Sequence, residues 1–147
     1  MTAVYRAEVR VTAPVEPTEV TDRVRDAVAG VFPEAELSVE DGRVVGVSHS
    51  LAHLSELLRR QEILDTARQQ FHDGRSEEGF SFRLKKQAAL QGRVNFAVGN
   101  PDELGDITVE VRVEEPSPEV FIDHVAPETE DGVPVDEREE RQERDRP

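Results

Sequence analysis

The sequence predicts an α+β fold, a mostly antiparallel sheet with helices packed on one face. Three observations predict it. Several short segments alternate apolar and polar residues, as strands do when one face of a sheet is buried. Longer segments repeat apolar residues at helical spacing. The two patterns follow one another as strand, helix, two strands, helix, three strands and helix, an order typical of α+β domains.

The first half of the chain predicts three strands and one helix. Residues 3–13 alternate and form the first predicted strand. Thr18 is predicted to cap a helix that ends before Pro33. The dipeptide Asp41-Gly42 is a strong hairpin signal and predicts that the two short strands flanking it pair with each other.

The second half predicts two helices and three strands. An amphipathic helix is expected over residues 50–73, and it can break where Gln61 interrupts the apolar stripe. A short helix through Phe121 is expected to end at Pro127. Three alternating segments lie between the helices, around residues 80–85, 94–98 and 106–113. A turn at Lys-Gln-Ala-Ala separates the first two.

Composition divides the chain into two parts. Residues 1–127 predict a single α+β domain, and 36% hydrophobic residues in the 147-residue chain are enough for one ordinary core. Residues 128–147 are almost all charge and proline and predict an acidic, disordered tail. There is no cysteine, no apolar run near the roughly 18 residues that span a bilayer, and no signal-peptide pattern. We therefore expect a cytoplasmic protein, whose oligomeric state no pattern in the sequence fixes.

The formal net charge of -14 has two interpretations. A strongly acidic surface repels nucleic acid at a distance. It also suits a halophilic protein, because at about 1 M salt the Debye length is only about 3 Å and net charge loses its reach. We favour salt adaptation, so an anionic partner is not excluded.

Two candidate catalytic or metal-binding motifs have simpler explanations. Gly-Val-Ser-His-Ser at 46–50 resembles a nucleophile elbow around Ser48 but lacks the final glycine. His49 and His53 are spaced i and i+4, yet no HExxH glutamate or third ligand accompanies them. We expect turn and surface residues at both places, and therefore no enzyme, no metal site and no cofactor.

The remaining signal is basic. Residues 59–93 carry 8 basic and 5 acidic groups, whereas residues 94–147 carry 5 and 17. Strand alternation predicts that Arg83, Lys85, Arg93 and Asn95 share the open face of the sheet, with Lys86 and Gln87 at the exposed turn between the two strands. The cations either bind phosphates or only balance neighbouring acids, and the sequence leaves both interpretations open. The candidate RNA-binding residues are Arg83, Lys85, Lys86, Gln87, Arg93 and Asn95, with Arg59, Arg60 and Arg68 from the long helix.

The aromatic residues bear on how RNA would be recognised. Proteins that read single-stranded RNA on a sheet stack bases on exposed aromatic rings. We therefore expect recognition through the RNA backbone and its shape, because every aromatic residue on a predicted strand falls on the apolar side: Tyr5, Phe80, Phe82 and Phe96.

Several stretches resemble a known family. The stretches are "FSFRLKKQAALQGRVNF", "ELGDITVEVRV" and "FIDHVAPETEDGVP", with weaker support from "LRRQEILDTAR". They are similar to the archaeal uncharacterised protein family two-hundred-one, which is predicted to bind RNA. The resemblance, from about Tyr5 to Pro134, implies the fold of the large-subunit ribosomal protein that holds 5S rRNA. It also implies an archaeal source, which is consistent with the halophilic composition.

We predict a non-catalytic RNA-binding protein that contacts ribosomal or another structured RNA through a local basic patch. The alternative is a protein-interaction module that uses the open sheet face or the acidic tail. Neither function requires a membrane or a small-molecule cofactor.

Overall fold

The structure is a computed structural model that describes residues 4–101, 104–130 and 133–134. Within these ranges the chain forms five helices and seven strands. In order they are β1 (Arg6–Pro14), α1 (Thr21–Val31), β2 (Glu36–Glu40), β3 (Arg43–Ser48), α2 (Ala52–Arg60), α3 (Leu64–Asp73), β4 (Gly79–Leu84), α4 (Lys86–Leu90), β5 (Ile107–Glu115), α5 (Pro118–Val125), β6 (Thr129–Glu130) and β7 (Val133–Pro134).

Five strands form one sheet in the order β2-β3-β1-β5-β4, and every neighbouring pair is antiparallel. Strand β1 at its centre alternates exposed Arg6, Glu8 and Arg10 with buried Ala7 and Val9, because successive side chains point to opposite faces. The predicted α+β class is confirmed. None of the helices in the described ranges is long and apolar enough to cross a membrane.

Aromatic residues fill the core between the sheet and its helices. The ring of Phe71 on α3 is fully buried, with its centroid 4.8 Å from that of Phe82, 5.0 Å from that of Phe80 and 6.0 Å from that of Phe96. Rings at these separations stabilise a core beyond their buried area alone. The predicted inward direction of Phe80, Phe82 and Phe96 is therefore confirmed.

Three predicted elements differ in the structure. Helix α1 begins at Thr21 rather than after Thr18. The predicted turn at Lys-Gln-Ala-Ala is helix α4. The predicted strand around residues 94–98 makes a single bridge to β4, between Leu84 and Phe96.

The break predicted near Gln61 is present. Helix α2 ends at Arg60 and α3 begins at Leu64, with Glu62 between them in the left-handed region at φ 57°. The C-terminal segment predicted as a tail begins with a small hairpin of β6 and β7, and residues 135–147 lie outside the described ranges.

Candidate nucleic-acid interface

The end of β4 and the segment after α4 place two predicted residues side by side. The backbone N–H of Lys85 donates to the carbonyl of Asn95 at 2.9 Å, and that of Ala97 donates to the carbonyl of Arg83 at 2.9 Å. This antiparallel pairing puts Lys85 opposite Asn95, and both side chains are exposed. The predicted shared face of these two residues therefore exists.

The side chain of Gln61 fixes the same segment from its other edge. Its Nε2 donates to the carbonyl of Val94 at 2.9 Å, and its Oε1 accepts from the N–H of Val94 at 2.8 Å. The amide thereby satisfies both the N–H and the carbonyl of Val94. Within the described residues, no further strand lies beside Val94 to satisfy these groups. As a result, Arg60 and Arg93, the neighbours of Gln61 and Val94, lie on adjoining segments.

Four exposed residues at this edge of the sheet form what we call the edge cluster: Arg60, Lys85, Arg93 and Asn95. Lys85 and Arg93 make no ion pair within the described ranges, and Arg60 lies 4.0 Å from Glu56, a contact between two largely exposed side chains. Exposed pairs of this kind contribute little energy and leave a cation available to a stronger partner. Gln87 on α4 is also exposed, but it lines a groove with Glu19 and Arg23 beside α1.

Arg83 is only partly available. Its Nη1 donates to Oδ2 of Asp106 at 3.1 Å, and its Nη2 donates to the carbonyl of Gly99 at 2.6 Å. Asp106 is almost fully buried, so the guanidinium supplies the charge that this carboxylate requires. We therefore assign Arg83 a structural role in supporting the edge of the sheet.

Lys86 corrects the sequence-based prediction. The prediction places it at an exposed turn, yet its side chain is buried and points toward α1. Its Nζ donates to Oε1 of Glu19 at 2.7 Å and to the carbonyls of Pro14 and Leu104. All three ammonium protons thus have partners, and Lys86 cannot reach a phosphate without leaving this site.

The other two helix arginines, Arg68 and Arg59, have surroundings of their own. Arg68 on α3 donates to Asp123 at 2.5 Å and to the carbonyl of Ala126 at 3.2 Å, and it lies 3.5 Å from Glu128, so it joins α3 to α5 and the segment after it. Arg59 lines a cavity beside α5. The sequence leaves open whether these helix arginines reach the sheet face, and the structure places Arg68 against α5 and Arg59 at this cavity.

The cavity beside Arg59 contains an aromatic pair that sequence reasoning missed. Tyr5 precedes β1 and stacks on His124 of α5, with ring centroids 3.9 Å apart and planes 13° apart. Tyr5 is 39% exposed, which overturns its predicted inward direction. Burial, and secondarily the charge of Arg59, lowers the pKa of His124 below its ordinary value of 6.5.

The residues of the two rejected motifs have structural partners. The hydroxyl of Ser48 is buried and exchanges hydrogen bonds with the backbone of Ser50 at 3.2 Å. His49 places Nδ1 3.2 Å from the carbonyl of Ala7, whereas His53 lies 3.8 Å from Glu56. The two histidines thus have separate partners.

Comparison with known proteins defines the class of the domain. A family model described as RNA binding matches residues 8–114, from β1 to β5, and includes the whole edge cluster. The chain therefore contains a domain of the class that this family model describes as RNA binding.

Individual relatives identify the family. A UPF0201 protein of Methanopyrus kandleri is 41% identical over 144 residues, which cover 88% of this chain and 90% of the relative. A UPF0200/UPF0201 protein of Archaeoglobus fulgidus is 40% identical over 131 residues, and there the chain spans 40% of the relative's length. The crystal structure of a UPF0201 protein from Methanococcus jannaschii has a TM-score of 0.80 at 38% identity, covering 87% of this chain and 98% of that one. The chain belongs to the archaeal UPF0201 family.

Proposed function

We propose that the protein is a non-catalytic RNA-binding protein that holds structured RNA on the edge cluster. The observation that carries the proposal is the exposure of Lys85 and Arg93, neither of which has a carboxylate partner in the described ranges. Lys85 and Arg93 would contact phosphates, because unpaired cations attract the backbone of any nucleic acid. Asn95 would add hydrogen bonds to ribose or base edges.

The surrounding charge sets the conditions under which this surface works. At low salt the net charge of -14 opposes the approach of RNA. In a cytoplasm near 1 M salt the repulsion is screened beyond about 3 Å, and only direct contacts count. Arginine suits such contacts because its planar fork binds phosphate oxygens in a fixed geometry. We therefore propose RNA binding in a high-salt cytoplasm, with no bound metal or cofactor required.

The experiment compares two charge reversals of equal size. Wild type, Lys85→Glu/Arg93→Glu and the control Arg25→Glu/Arg43→Glu are each crosslinked to RNA in native high-salt lysate, and the recovered RNA is sequenced. Arg25 and Arg43 are also exposed but lie on α1 and β3, away from the edge cluster. We expect a loss of at least tenfold in recovered RNA for the first variant and little change for the control.

The outcomes are distinct. No RNA enriched with the wild type would overturn the proposed function. Equal RNA recovery from wild type and from both variants would keep RNA binding but remove the edge cluster as its site. Loss in both variants would mean that net charge alone governs binding, which would also contradict a local site.

A further inference from the structure

A cavity of about 410 Å³ lies between α2, α5 and the start of β1. One side of α2 lines it, with Ala52, Ser55, Glu56 and Arg59 at helical spacing i, i+3, i+4 and i+7. The other side of α2 faces the core. The volume of the cavity lies in the range of small-ligand sites, and none of the functional assignments above uses it.

The Tyr5–His124 pair forms an aromatic wall of this cavity. Phe121 is buried behind it, with its ring centroid 6.3 Å from each of the two rings. This third ring contacts both members of the pair from the core side and so limits their movement. Because the two rings cover each other's inner faces, a planar group in the cavity would stack on an outer face of this pre-formed pair, which reduces the entropy lost on binding.

Polar groups surround the aromatic wall. The Nδ1 of His49 faces the carbonyl of Ala7, so in the neutral ring Nδ1 carries the proton and Nε2 is an acceptor. The hydroxyl of Ser55 donates to the carbonyl of Val125 at 2.8 Å, and its oxygen remains able to accept. The guanidinium of Arg59 and the carboxylate of Glu56 both line the cavity, so these two side chains bring no net charge. Aromatic rings together with polar donors and acceptors suit a nucleobase.

The cavity and the edge cluster lie at opposite ends of the sheet. Arg6, which follows Tyr5, pairs with Glu115 at the end of β5. Leu84, which precedes Lys85, pairs with Ile107 at the start of β5. At about 3.4 Å per residue these two ends are about 27 Å apart. An RNA held by Lys85 and Arg93 therefore reaches the Tyr5–His124 pair by extending along the sheet, which suits a duplex of about 16 base pairs, the length that double-stranded-RNA-binding domains span.

From this arrangement we propose that the cavity takes up one unpaired nucleobase of the bound RNA, which stacks on the Tyr5–His124 pair. The inference rests on the proposed function and makes it specific: the favoured RNA is a duplex with a bulged nucleotide rather than an uninterrupted duplex. Because burial and Arg59 lower the pKa of His124, its ring is neutral at neutral pH and stacks as an uncharged aromatic.

The sequence supplies a direct probe. Tyr5 is the single tyrosine and there is no tryptophan, so intrinsic fluorescence reports on this ring alone. The protein is titrated with a 16-base-pair RNA duplex, with the same duplex carrying one bulged adenosine, and with adenosine monophosphate. N-acetyl-tyrosinamide corrects for absorption by the RNA, and anisotropy of labelled RNA measures binding independently.

We expect the bulged duplex to quench Tyr5 and to bind about tenfold more tightly than the uninterrupted duplex, because stacking on an aromatic ring strengthens binding by about that factor or more. The uninterrupted duplex should bind without quenching. Adenosine monophosphate should quench only at far higher concentration, because it lacks the contacts to the edge cluster. Quenching by the monophosphate at the same concentration as by the bulged RNA would overturn the proposal in favour of a free-nucleotide site.

Variants separate this inference from the proposed function. Tyr5→Ala should abolish the tenfold preference for the bulged duplex, Tyr5→Phe should retain it, and Lys85→Glu/Arg93→Glu should weaken both duplexes equally. Failure of the wild type to bind either duplex would overturn the proposed function. Binding of both with equal affinity and unchanged Tyr5 fluorescence would overturn only the nucleobase site.

Discussion

The Nζ of Lys86 lies 2.7 Å from Oε1 of Glu19, and both side chains are largely removed from solvent. Glu19 also accepts from the backbone N–H of Glu16 at 3.0 Å, which fixes the loop before α1. Since Lys86 also binds two backbone carbonyls, one ammonium group joins the start of α4, the end of β1, the loop before β5 and the loop before α1. This contact is structural, and it makes the two adjacent lysines of the chain chemically different.

The first prediction follows from that difference. Lys86→Met should lower the free energy of unfolding by about 3 kcal/mol, because it leaves the carboxylate of Glu19 buried without its counter-charge. The matched change Lys85→Met, on an exposed side chain, should alter it by less than about 0.5 kcal/mol. Urea unfolding followed by circular dichroism measures both. The double variant Lys86→Met/Glu19→Leu should be more stable than Lys86→Met alone, and equal costs for the two lysines would contradict the buried contact.

The same contact shows what sequence reasoning could not find. Lys85 and Lys86 are adjacent and look alike, and the partner that separates them, Glu19, is 67 residues away. Strand alternation applies as far as Leu84, where β4 ends, and the five-residue helix that follows is too short to show a helical period. A period of about two or 3.6 residues in the apolar positions shows which face of a strand or helix is buried. It does not show which residues of different elements contact each other.

The aromatic pair was missed for a related reason. Alternation extended to residue 3 places Tyr5 on the buried face, but β1 begins at Arg6 and the residue before it follows a different path. Its partner His124 comes from α5, at the other end of the chain, and showed no motif of its own. Strands β1 and β5 were predicted correctly because each shows its buried face several times, and the hairpin of β2 and β3 because Asp41-Gly42 marks its turn.

The second prediction concerns Gln61. Gln61→Ala should lower the free energy of unfolding by about 1–3 kcal/mol, because both backbone groups of the buried residue Val94 lose their partner. Amide hydrogen exchange at Val94 should accelerate. RNA affinity should fall as well, since Arg60 and Arg93 are no longer held on adjoining segments.

The control for Gln61 is another glutamine in an adjacent helix. Gln69 on α3 donates to Asp73 at 2.9 Å on an exposed surface, so Gln69→Ala should cost less than about 0.5 kcal/mol and leave Val94 protected. Unchanged exchange at Val94 in Gln61→Ala would show that the side chain does not hold this segment.

The third prediction is a pH dependence at His124. Burial and the charge of Arg59 lower the pKa of the folded-state imidazole below 6.5, so the folded protein favours the neutral ring. The associated stability is fully present above the unfolded pKa and is lost as the pH falls through the folded pKa. Arg59→Gln removes one of the two causes and should raise the pKa of His124 part of the way toward 6.5. NMR titration of the imidazole protons measures the pKa of His124, and the variant His124→Gln assigns its signal. A pKa that does not change in Arg59→Gln would place the guanidinium away from the ring.

The fourth prediction tests whether the edge cluster binds phosphates. Each cation that is removed from a phosphate should reduce the slope of log affinity against log salt by about 1, because fewer counterions are released when RNA binds. Lys85→Gln/Arg93→Gln should therefore lower the slope by about 2, whereas Arg25→Gln/Arg43→Gln removes the same charge from other surfaces and should leave it unchanged. The measurement is the fluorescence anisotropy of a labelled duplex between about 0.3 and 1.5 M salt. In this range the Debye length is only a few ångströms, so net charge no longer acts at a distance. If both double variants change the slope equally, the response comes from total charge, and Lys85 and Arg93 have no special role in binding RNA.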